Sequence, residues 1–278
     1  MGKLDGKVAV VTAGGGVLCS CFAKELAANG AKVAVSDLDE KAAQETAKAI
    51  CEAGGEAISI AVNALKKESL ESAREQIHSK FGKCDILING VGGNSPRGTT
   101  DKEYYEDGDI DLENVKTFFD LEPENLGFVF NINLIAVMLT TQVFAQDMLG
   151  REECTIVNIS SMNAFRPLTK IPAYSTAKAA VSNFTQWLAV HFAKQGIRVN
   201  AIAPGFFVTK QNKDLLYDAN GNPTARTGKI LAATPMGRFG QAQELLGTLM
   251  WLVDSKASSF VTGIVVPVDG GFSAYSGV

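Results

Sequence analysis

The sequence contains few of the residues that build metal centres or disulfide frameworks. Its 278 residues include two histidines and five cysteines. The cysteines are odd in number and scattered, and the one close pair, Cys19 and Cys21, is spaced C-x-C rather than C-x-x-C. We therefore expect buried free thiols in a reducing compartment and no metal site. His78 and His191 are expected to be ordinary surface and helix residues.

Targeting and membrane segments are missing as well. The first residues, MGKLDGKVAVVT, lead directly into a predicted strand, without the apolar region and cleavage site of a secretory signal. Position 6 is glycine, whereas a myristoylation signal needs serine or threonine there. We find no uncharged apolar run of the length needed to cross a bilayer. A formal charge of −4 argues against nucleic-acid and anionic-membrane partners. A cytoplasmic protein is predicted.

Short β-branched segments alternate with longer helical ones along the whole chain. Strands are predicted at 7–12, 32–36, 57–60, 85–88, 155–159, 198–202 and 264–268. A helix is predicted after the first strand, with others at 39–51, 69–81, 125–148, 173–194 and 241–253. Near-continuous apolar strands separated by helices indicate an α/β fold: a single Rossmann-type, doubly wound parallel sheet with helices on both faces. We predict one domain spanning residues 1–278.

Two segments interrupt this alternation. Residues 94–124 are rich in acidic side chains and carry the aromatics Tyr104, Tyr105, Phe118 and Phe119. Residues 206–228 form a long polar stretch dense in turn-forming residues. Long loops in a compact α/β domain are usually lids or binding loops, so we predict an insertion and a substrate loop here.

The first predicted strand ends in a glycine-rich turn, Gly14-Gly15-Gly16, that leads into a helix. Such a turn lets the backbone approach a pyrophosphate, which the amides and dipole of the helix N-terminus stabilise. Asp37 ends the second strand, where a carboxylate can accept hydrogen bonds from the adenosine ribose and repels a 2′-phosphate. No lysine or arginine occupies positions 36–40, so NAD is favoured over NADP.

A second motif carries acid–base chemistry. Tyr174 and Lys178 are spaced i and i+4, as neighbours on one helix face. A phenol titrates near pH 10, but a nearby ammonium and an oxidised nicotinamide favour the phenolate and lower that pKa. Ser161 follows a predicted strand, and Asn133 lies in the preceding helical segment.

With Thr12, the glycine turn, the segment Asn89-Gly90-Val91-Gly92 and Pro204-Gly205, these residues resemble the short-chain dehydrogenase/reductase family along essentially the whole length of the sequence. The resemblance implies that Ser161 polarises the substrate oxygen and Tyr174 transfers the proton. It implies that Lys178 binds the nicotinamide ribose and lowers the Tyr174 pKa, and that Asn133 holds a water in a relay. The cofactor residues predicted on this basis are Thr12, Gly14, Gly15, Gly16, Val17, Leu18, Asp37, Asn63, Asn89, Gly90, Tyr174, Lys178, Pro204, Gly205 and Thr209.

The sequence departs from the family pattern at the glycine turn. The family has T-G-x-x-x-G-x-G, and this chain has Ala13, Val17 and Cys19 at the three glycine positions. Gly14, Gly15 and Gly16 suggest a turn in a shifted register. Asn63 stands where the family commonly has an aspartate beside the adenine, and an amide can do the same.

Several stretches resemble a narrower group within that family, the bacterial D-mannonate oxidoreductases (fructuronate reductases). They are GVLCS, NGVGGN, TKIPAYS, PGFFVTKQN and the final VPVDGGFSAYSGV. The resemblance implies reversible hydride transfer at a secondary alcohol of a six-carbon sugar acid, in a homo-oligomer, commonly a tetramer. Asn94, Ser161, Lys170 and Lys210 are the predicted substrate residues, the two lysines as partners of the carboxylate.

Two alternatives remain open. The protein could be another polyol or sugar-acid dehydrogenase, such as a gluconate 5-dehydrogenase. It could also be a non-catalytic nucleotide-sensing protein, although such a module has no need of all four residues Asn133, Ser161, Tyr174 and Lys178. Fold alone does not separate these hypotheses.

Overall fold

Seven parallel strands form the centre of the molecule in a computed structural model that describes residues 2–209 and 216–277. The sheet order is β3-β2-β1-β4-β5-β6-β7, and each neighbouring pair is parallel. The strands are β1 (Val8–Thr12), β2 (Lys32–Asp37), β3 (Glu56–Ala61), β4 (Ile86–Asn89), β5 (Thr155–Ile159), β6 (Arg198–Pro204) and β7 (Val265–Val268). The order reverses between β1 and β4, and in open α/β sheets ligands bind at the carboxyl ends of the strands beside such a reversal.

Helices cover both faces of this sheet, as predicted. They are α1 (Val17–Ala28), α2 (Glu40–Glu52), α3 (Lys67–Lys80), α4 (Pro123–Phe130), α5 (Ala136–Phe144), α6 (Pro172–Phe192), α7 (Ala225–Ala232) and α8 (Leu246–Val253). Alternate residues of β1 point to opposite faces. Ala9 and Val11 pack with α1, α2 and α8, whereas Val8 and Val10 pack with α3, α5 and α6. The predicted Rossmann-type doubly wound sheet is therefore confirmed.

The helix predicted at 125–148 is one continuous helical stretch with an internal irregularity. A π-helical turn, Asn131–Ile135, joins α4 to α5, and a 3₁₀ turn, Ala145–Met148, ends the stretch. By length and composition alone, Pro123–Met148 could cross a membrane, so the expectation that no apolar run is long enough was wrong. The stretch contains scattered uncharged polar side chains, such as Asn133, so its high overall hydropathy was not recognised from the sequence. Half of its most apolar window is buried inside the fold, as in the core helix of an α/β domain.

The two irregular segments differ from each other. Residues 94–124 contain three 3₁₀ turns, Pro96–Gly98, Asp109–Asp111 and Phe118–Asp120. The segment 206–228, predicted as a loop, contains the start of α7 among its described residues. Thr224 caps that helix by accepting a hydrogen bond from the Thr227 amide, and Ile230 is buried beneath it. The turn-forming residues just before α7 hid this short amphipathic helix.

The cysteines and histidines are mostly structural. All five cysteines are free, and Cys19, Cys84 and Cys154 are buried. Cys51 is exposed near the end of α2, so the expectation of buried thiols was wrong at that position, where the helix turns its outer face to solvent. Nε2 of His78 lies 2.7 Å from Oδ2 of Asp147. Within residues 2–209 and 216–277, no three potential ligands cluster in a way that could hold a metal ion.

Candidate active site

Helix α6 brings Tyr174 and Lys178 to the carboxyl edge of the sheet. Pro172 occupies the first turn of α6, where a missing amide proton costs nothing. Tyr174 and Lys178 then lie one turn apart, with Nζ of Lys178 5.8 Å from the centroid of the Tyr174 ring. Lys178 is buried, and its Nζ donates a hydrogen bond of 2.9 Å to the Ile159 carbonyl at the end of β5. The lysine is thus anchored between α6 and the sheet.

Ser161 stands immediately beyond β5, facing the same helix. Its hydroxyl caps a 3₁₀ turn by accepting a hydrogen bond of 3.2 Å from the Asn163 amide. The neighbouring Ser160 points elsewhere, because its hydroxyl donates to the Lys178 carbonyl and contacts Ser182. The structure therefore separates the two serines, and Ser161 is the one beside Tyr174.

Burial governs the acid–base properties of this pair. Burial raises the pKa of Tyr174, and hydrogen bonding with Ser161 lowers it by a smaller amount. Burial also lowers the pKa of Lys178 to about 8. The Lys178 ammonium is directed at the Ile159 carbonyl, and desolvation of the phenol is the larger effect on the Tyr174 pKa, so the expectation that Lys178 and an oxidised nicotinamide lower this pKa stays a prediction. At neutral pH the protein by itself favours the protonated phenol.

Asn133 occupies the π-helical turn and is fully buried. Its Nδ2 donates to the carbonyls of Gly93 and Val129 at 2.7 and 2.8 Å, and its Oδ1 accepts from the Gly93 amide at 3.1 Å. Asn133 therefore clamps the loop after β4 to the helix. Both of its donors are used, so a relay water could reach this side chain only through Oδ1. Gly93 was not predicted as a site residue, because nothing in the sequence marks a backbone contact.

Gly92 sits between Asn133 and Lys178. A Cβ on Gly92 would stand 2.5 Å from Oδ1 of Asn133 and 2.8 Å from Nζ of Lys178. Both distances are too short for any side chain. Glycine at this position therefore lets the amide, the ammonium and the loop backbone meet in one place.

The glycine turn is compact and leads into helix α1, whose first amides have no side-chain acceptor among the described residues. Gly14 donates to the Ser36 carbonyl at 3.0 Å, and Gly15 donates to Oδ2 of Asp37 at 2.9 Å. A Cβ on Gly15 would stand 2.5 Å from Cβ of Ala42. Helix α1 begins at Val17 without a side-chain cap, so the amides of Val17 and Leu18 have no side-chain acceptor within the described residues. This is the arrangement that a pyrophosphate needs.

The departures from the family turn are accommodated nearby. Ala13 adopts a left-handed conformation with φ +52°, which is the conformation that glycine would take without strain. The side chain of Cys19 fills space against Gly90, where a Cβ would stand 2.2 Å from the Cys19 sulfur. Gly90 therefore makes room for the cysteine that replaces the third family glycine.

Asp37 ends β2 beside this turn, as the sequence predicts. Its two oxygens accept hydrogen bonds from the amides of Gly15 and Asp39. Each oxygen keeps a lone pair, so a ribose diol could still be bound. Asn63 follows β3 at the same edge, and its Oδ1 accepts from the Leu65 amide at 3.0 Å.

Two predicted cofactor residues turn their side chains inward. The Thr12 hydroxyl donates to the Ile88 carbonyl and accepts from the Gly90 amide, so it ties β1 to the loop after β4. The Asn89 amide donates to Thr141 and Asn158, between α5 and β5. Both residues are buried, and only their backbones could contact a ligand. Their side chains shape the site from behind.

The far end of the site is partly described. Gly205, which follows Pro204, donates its amide to the Val268 carbonyl. A Cβ on Gly205 would stand 2.6 Å from Cα of Asp269. Thr209 is partly buried, and Lys210 lies outside the described residues. Asn94 is exposed and donates to the Thr99 hydroxyl. Lys170 is half-buried with φ +72°, in the loop just before α6.

The residues at this edge fit a dinucleotide. The glycine turn, the uncapped start of α1 and the carboxylate of Asp37 lie at the carboxyl ends of β1 and β2, and Gly92 keeps space beside Lys178. Tyr174 and Ser161 stand at the same edge of the sheet. Fold and site together define a nucleotide-dependent oxidoreductase.

Comparison with known proteins agrees. A family model, adh_short_C2, described as enoyl-(acyl carrier protein) reductase, matches residues 18–273. An uncharacterized oxidoreductase of Haemophilus influenzae is 57% identical, over 99% of this chain and 96% of the relative. The 2-dehydro-3-deoxy-D-gluconate 5-dehydrogenase of Bacillus subtilis is 33% identical, over 97% of this chain and 96% of the relative.

A solved structure can be compared directly. A Haemophilus influenzae protein, provisionally called a D-mannonate oxidoreductase and crystallised with bound NAD, superposes with a TM-score of 0.94. It is 57% identical and covers 99% of this chain and 98% of its own. The present protein belongs to the short-chain dehydrogenase/reductase family. It is an NAD-dependent oxidoreductase acting on CH–OH groups.

Proposed function

We propose that this enzyme interconverts a secondary alcohol and a ketone of a six-carbon sugar acid, with D-mannonate and D-fructuronate as the substrate pair. The observation that carries the proposal is the placement of a half-buried cation, Lys170, four residues before Tyr174 in the loop that leads into α6. A cation in the loop that leads to the proton-transfer residue suits a substrate that carries a carboxylate. The names of the Haemophilus influenzae structure and of the Bacillus subtilis sugar-acid dehydrogenase support the same class of substrate.

A bound nicotinamide would supply the hydride to the carbon in ketone reduction and take it in the reverse direction. In reduction, Tyr174 would give its phenolic proton to the oxygen. Ser161 donates a hydrogen bond to that oxygen and orients it. In the reverse direction the phenolate removes the alcohol proton. A phenol is protonated at neutral pH, and burial raises the pKa of Tyr174 further, so the free site holds the proton donor that ketone reduction requires.

The remaining site residues position the two ligands. The glycine turn and the first amides of α1 would hold the pyrophosphate, and Asp37 the adenosine ribose. Asn63 would face the adenine, and the backbones of Asn89, Gly90 and Pro204-Gly205 would line the cofactor site. Lys178 would bind the nicotinamide ribose. Asn133 would hold the loop after β4, through Gly93, in place beside Lys178. Thr209 and Lys210 stay predictions.

A second sugar-acid reaction is the main alternative. The Bacillus subtilis relative is named for a dehydrogenation at carbon 5 of a deoxygluconate. An enzyme with the same catalytic residues could therefore act on a different hydroxyl of a related acid. The two candidates share the carboxylate and differ in the position of the reacting carbon.

A substrate panel distinguishes them. Hexonates and hexuronates are assayed with NAD(H) and NADP(H), beside an uncharged ketohexose. We expect the highest kcat/KM for D-fructuronate with NADH, and poor turnover of the neutral sugar because it leaves a desolvated cation unpaired. A preference for the neutral sugar would refute the sugar-acid assignment, and a preference for a keto-gluconate would select the alternative.

We further propose a cytoplasmic homotetramer. An exposed apolar groove between α5 and α6 supports self-association, with Met138, Leu149 and Phe184 along it and Trp187 stacked on His191. Light scattering coupled to gel filtration should give four times the subunit mass of 29.5 kDa. A monomer at micromolar concentration would contradict this.

A further inference from the structure

The acidic insertion contacts both sides of the substrate end of the site. The Thr100 amide donates a hydrogen bond of 2.9 Å to the Lys170 carbonyl, in the loop before α6. Oε2 of Glu103 lies 2.8 Å from Nζ of Lys229 on α7. Residues 100–103 therefore bridge the loop that leads to Tyr174 and helix α7.

Glu103 faces Lys229 on α7, and Arg226 lies three residues before Lys229 on the same face of that helix. Its hydrogen bond with Lys229 lowers the pKa of Glu103, and the charges of Lys229, Lys170 and Arg226 lower it further. Among the residues that the structure describes, Lys229 alone forms an ion pair with Glu103. Lys170 and Arg226 are half-buried, and their side chains make no hydrogen bond or ion pair within residues 2–209 and 216–277. The charges of three cations thus act on one carboxylate.

Lys170 lies close to Tyr174 along the chain. Lys170 is four residues from Tyr174, so their Cα atoms are at most about 14 Å apart even along a fully extended backbone. The left-handed backbone of Lys170 is unfavourable for a residue with a Cβ, and the Thr100 hydrogen bond holds it in place. The insertion therefore fixes the conformation from which the Lys170 side chain extends.

We propose that Lys170 and Arg226 bind the carboxylate of the substrate, and that Glu103 is the resident counter-ion that holds these cations together in its absence. The proposal rests on the sugar-acid function given above and adds Arg226, a specificity-determining residue on α7 that the sequence did not indicate. It also explains why an acidic insertion adjoins a site for an anion: its Glu103 balances only part of the local positive charge.

The pairing of the cations determines which of them can bind a substrate carboxylate. The pair of Glu103 with Lys229 includes a lysine side chain that is 67% exposed, and such screened pairs contribute little. Lys170 and Arg226 are more buried and unpaired among the described residues, so a carboxylate brought to them would form charge-assisted hydrogen bonds. Arginine can bind a carboxylate through two parallel hydrogen bonds, which would fix the orientation of the sugar acid as well.

Kinetics of Arg226→Gln and Lys170→Met test the site. For each variant we expect KM for D-fructuronate to rise about 10- to 100-fold, with kcat little changed. We expect kcat/KM for D-fructose to stay the same or rise, because the neutral sugar no longer leaves a cation unpaired. Lys256→Met is the matched control, since Lys256 is an exposed cation near Glu153 at the opposite edge of the sheet. Equal losses on both sugars, or a loss in the control of the same size, would overturn the proposal.

Glu103→Gln should change KM for D-fructuronate in the opposite direction. Removing the resident negative charge should lower KM for D-fructuronate by a few-fold and leave D-fructose unchanged, because the substrate carboxylate then has no competitor. A rise in KM for both sugars would mean that Glu103 only holds the loop, and it would overturn the counter-ion role.

A binding measurement separates this proposal from the proposed function. Calorimetry with malonate should show binding to the wild type that is at least about tenfold weaker in the Arg226→Gln/Lys170→Met double variant. If the wild type reduces no sugar acid and malonate still distinguishes the two proteins, the substrate assignment fails and the anion site stands. If malonate binds both equally, the anion site fails whatever the enzyme reduces.

Discussion

Replacing Asn133 by alanine tests how the catalytic loop is held. The side chain of Asn133 makes three hydrogen bonds, two with Gly93 and one with the Val129 carbonyl, and it is fully buried. Each such bond contributes about 0.5–1.5 kcal/mol net, and a buried partner left unpaired costs more. We therefore expect Asn133→Ala to lower the free energy of unfolding by about 2–4 kcal/mol.

The same change should slow catalysis. Gly92 is next to the clamped Gly93 and adjoins Nζ of Lys178. If the loop is loosened, the position of the Lys178 ammonium is therefore less well fixed. Misplacement of catalytic groups by about 1 Å can cost about a hundredfold in rate. We expect kcat to fall by at least about tenfold, with a smaller change in KM for the substrate.

Urea unfolding followed by circular dichroism at several protein concentrations measures the first effect. Thr140→Val is the matched control, because Thr140 is buried in the same helical stretch and its hydroxyl bonds only to the Ala136 carbonyl of that helix among the described residues. The control should lose less than about 1 kcal/mol. If Asn133→Ala loses no more stability than Thr140→Val and keeps its kcat, the clamp does not hold the loop.

Three further predictions concern the catalytic and cofactor residues. Tyr174→Phe should reduce kcat by about 10²–10⁴-fold or more while NADH binding, followed by fluorescence, stays nearly intact; a variant that keeps a tenth of the wild-type kcat would refute the acid–base role. Asp37→Asn should narrow the preference for NADH over NADPH with a smaller loss of NADH kcat/KM than Asp37→Ala, since the amide oxygen can still accept from Gly15; a wild type that prefers NADPH would overturn this. Because burial lowers the pKa of Lys178 to about 8, kcat/KM for reduction should fall as pH rises through about 8, and Lys178→Arg should remove that limb; a wild-type profile that stays flat well above that pH would contradict it.

The sheet and the reacting side chains were predictable because both depend on short-range patterns. Buried parallel strands read as apolar runs, and Thr155–Ile159 was predicted with the bounds that the structure has. The neighbouring positions of Tyr174 and Lys178 on one helix face follow from their spacing, and the position of Asp37 follows from its place at the end of a strand. The roles of Tyr174 and Lys178 were predicted from the family resemblance. In each case a few neighbouring residues specify the geometry.

The contacts that hold these residues were not predictable in the same way. Asn133 bonds to a loop forty residues away, through backbone groups that every residue has. The raised pKa of Tyr174 depends on how deeply the phenol is buried, which the spacing to Lys178 does not reveal. Helix α7 was missed because the turn-forming residues before it dominate the local pattern.

Sequence spacing does not reveal which residues form the substrate end of the site. Lys170 was predicted because it precedes Tyr174, but Arg226 is far from it in sequence and taken alone has the pattern of a solvated surface cation. Their relation exists only because Thr100 and Glu103, from an insertion between β4 and α4, contact the loop before α6 and helix α7 at once. The catalytic residues lie on helix and strand ends that the sheet fixes, whereas the residues proposed to choose the substrate lie on segments that the insertion brings together. A change in the insertion could therefore alter which acid is bound while leaving the positions of Ser161, Tyr174 and Lys178 unchanged.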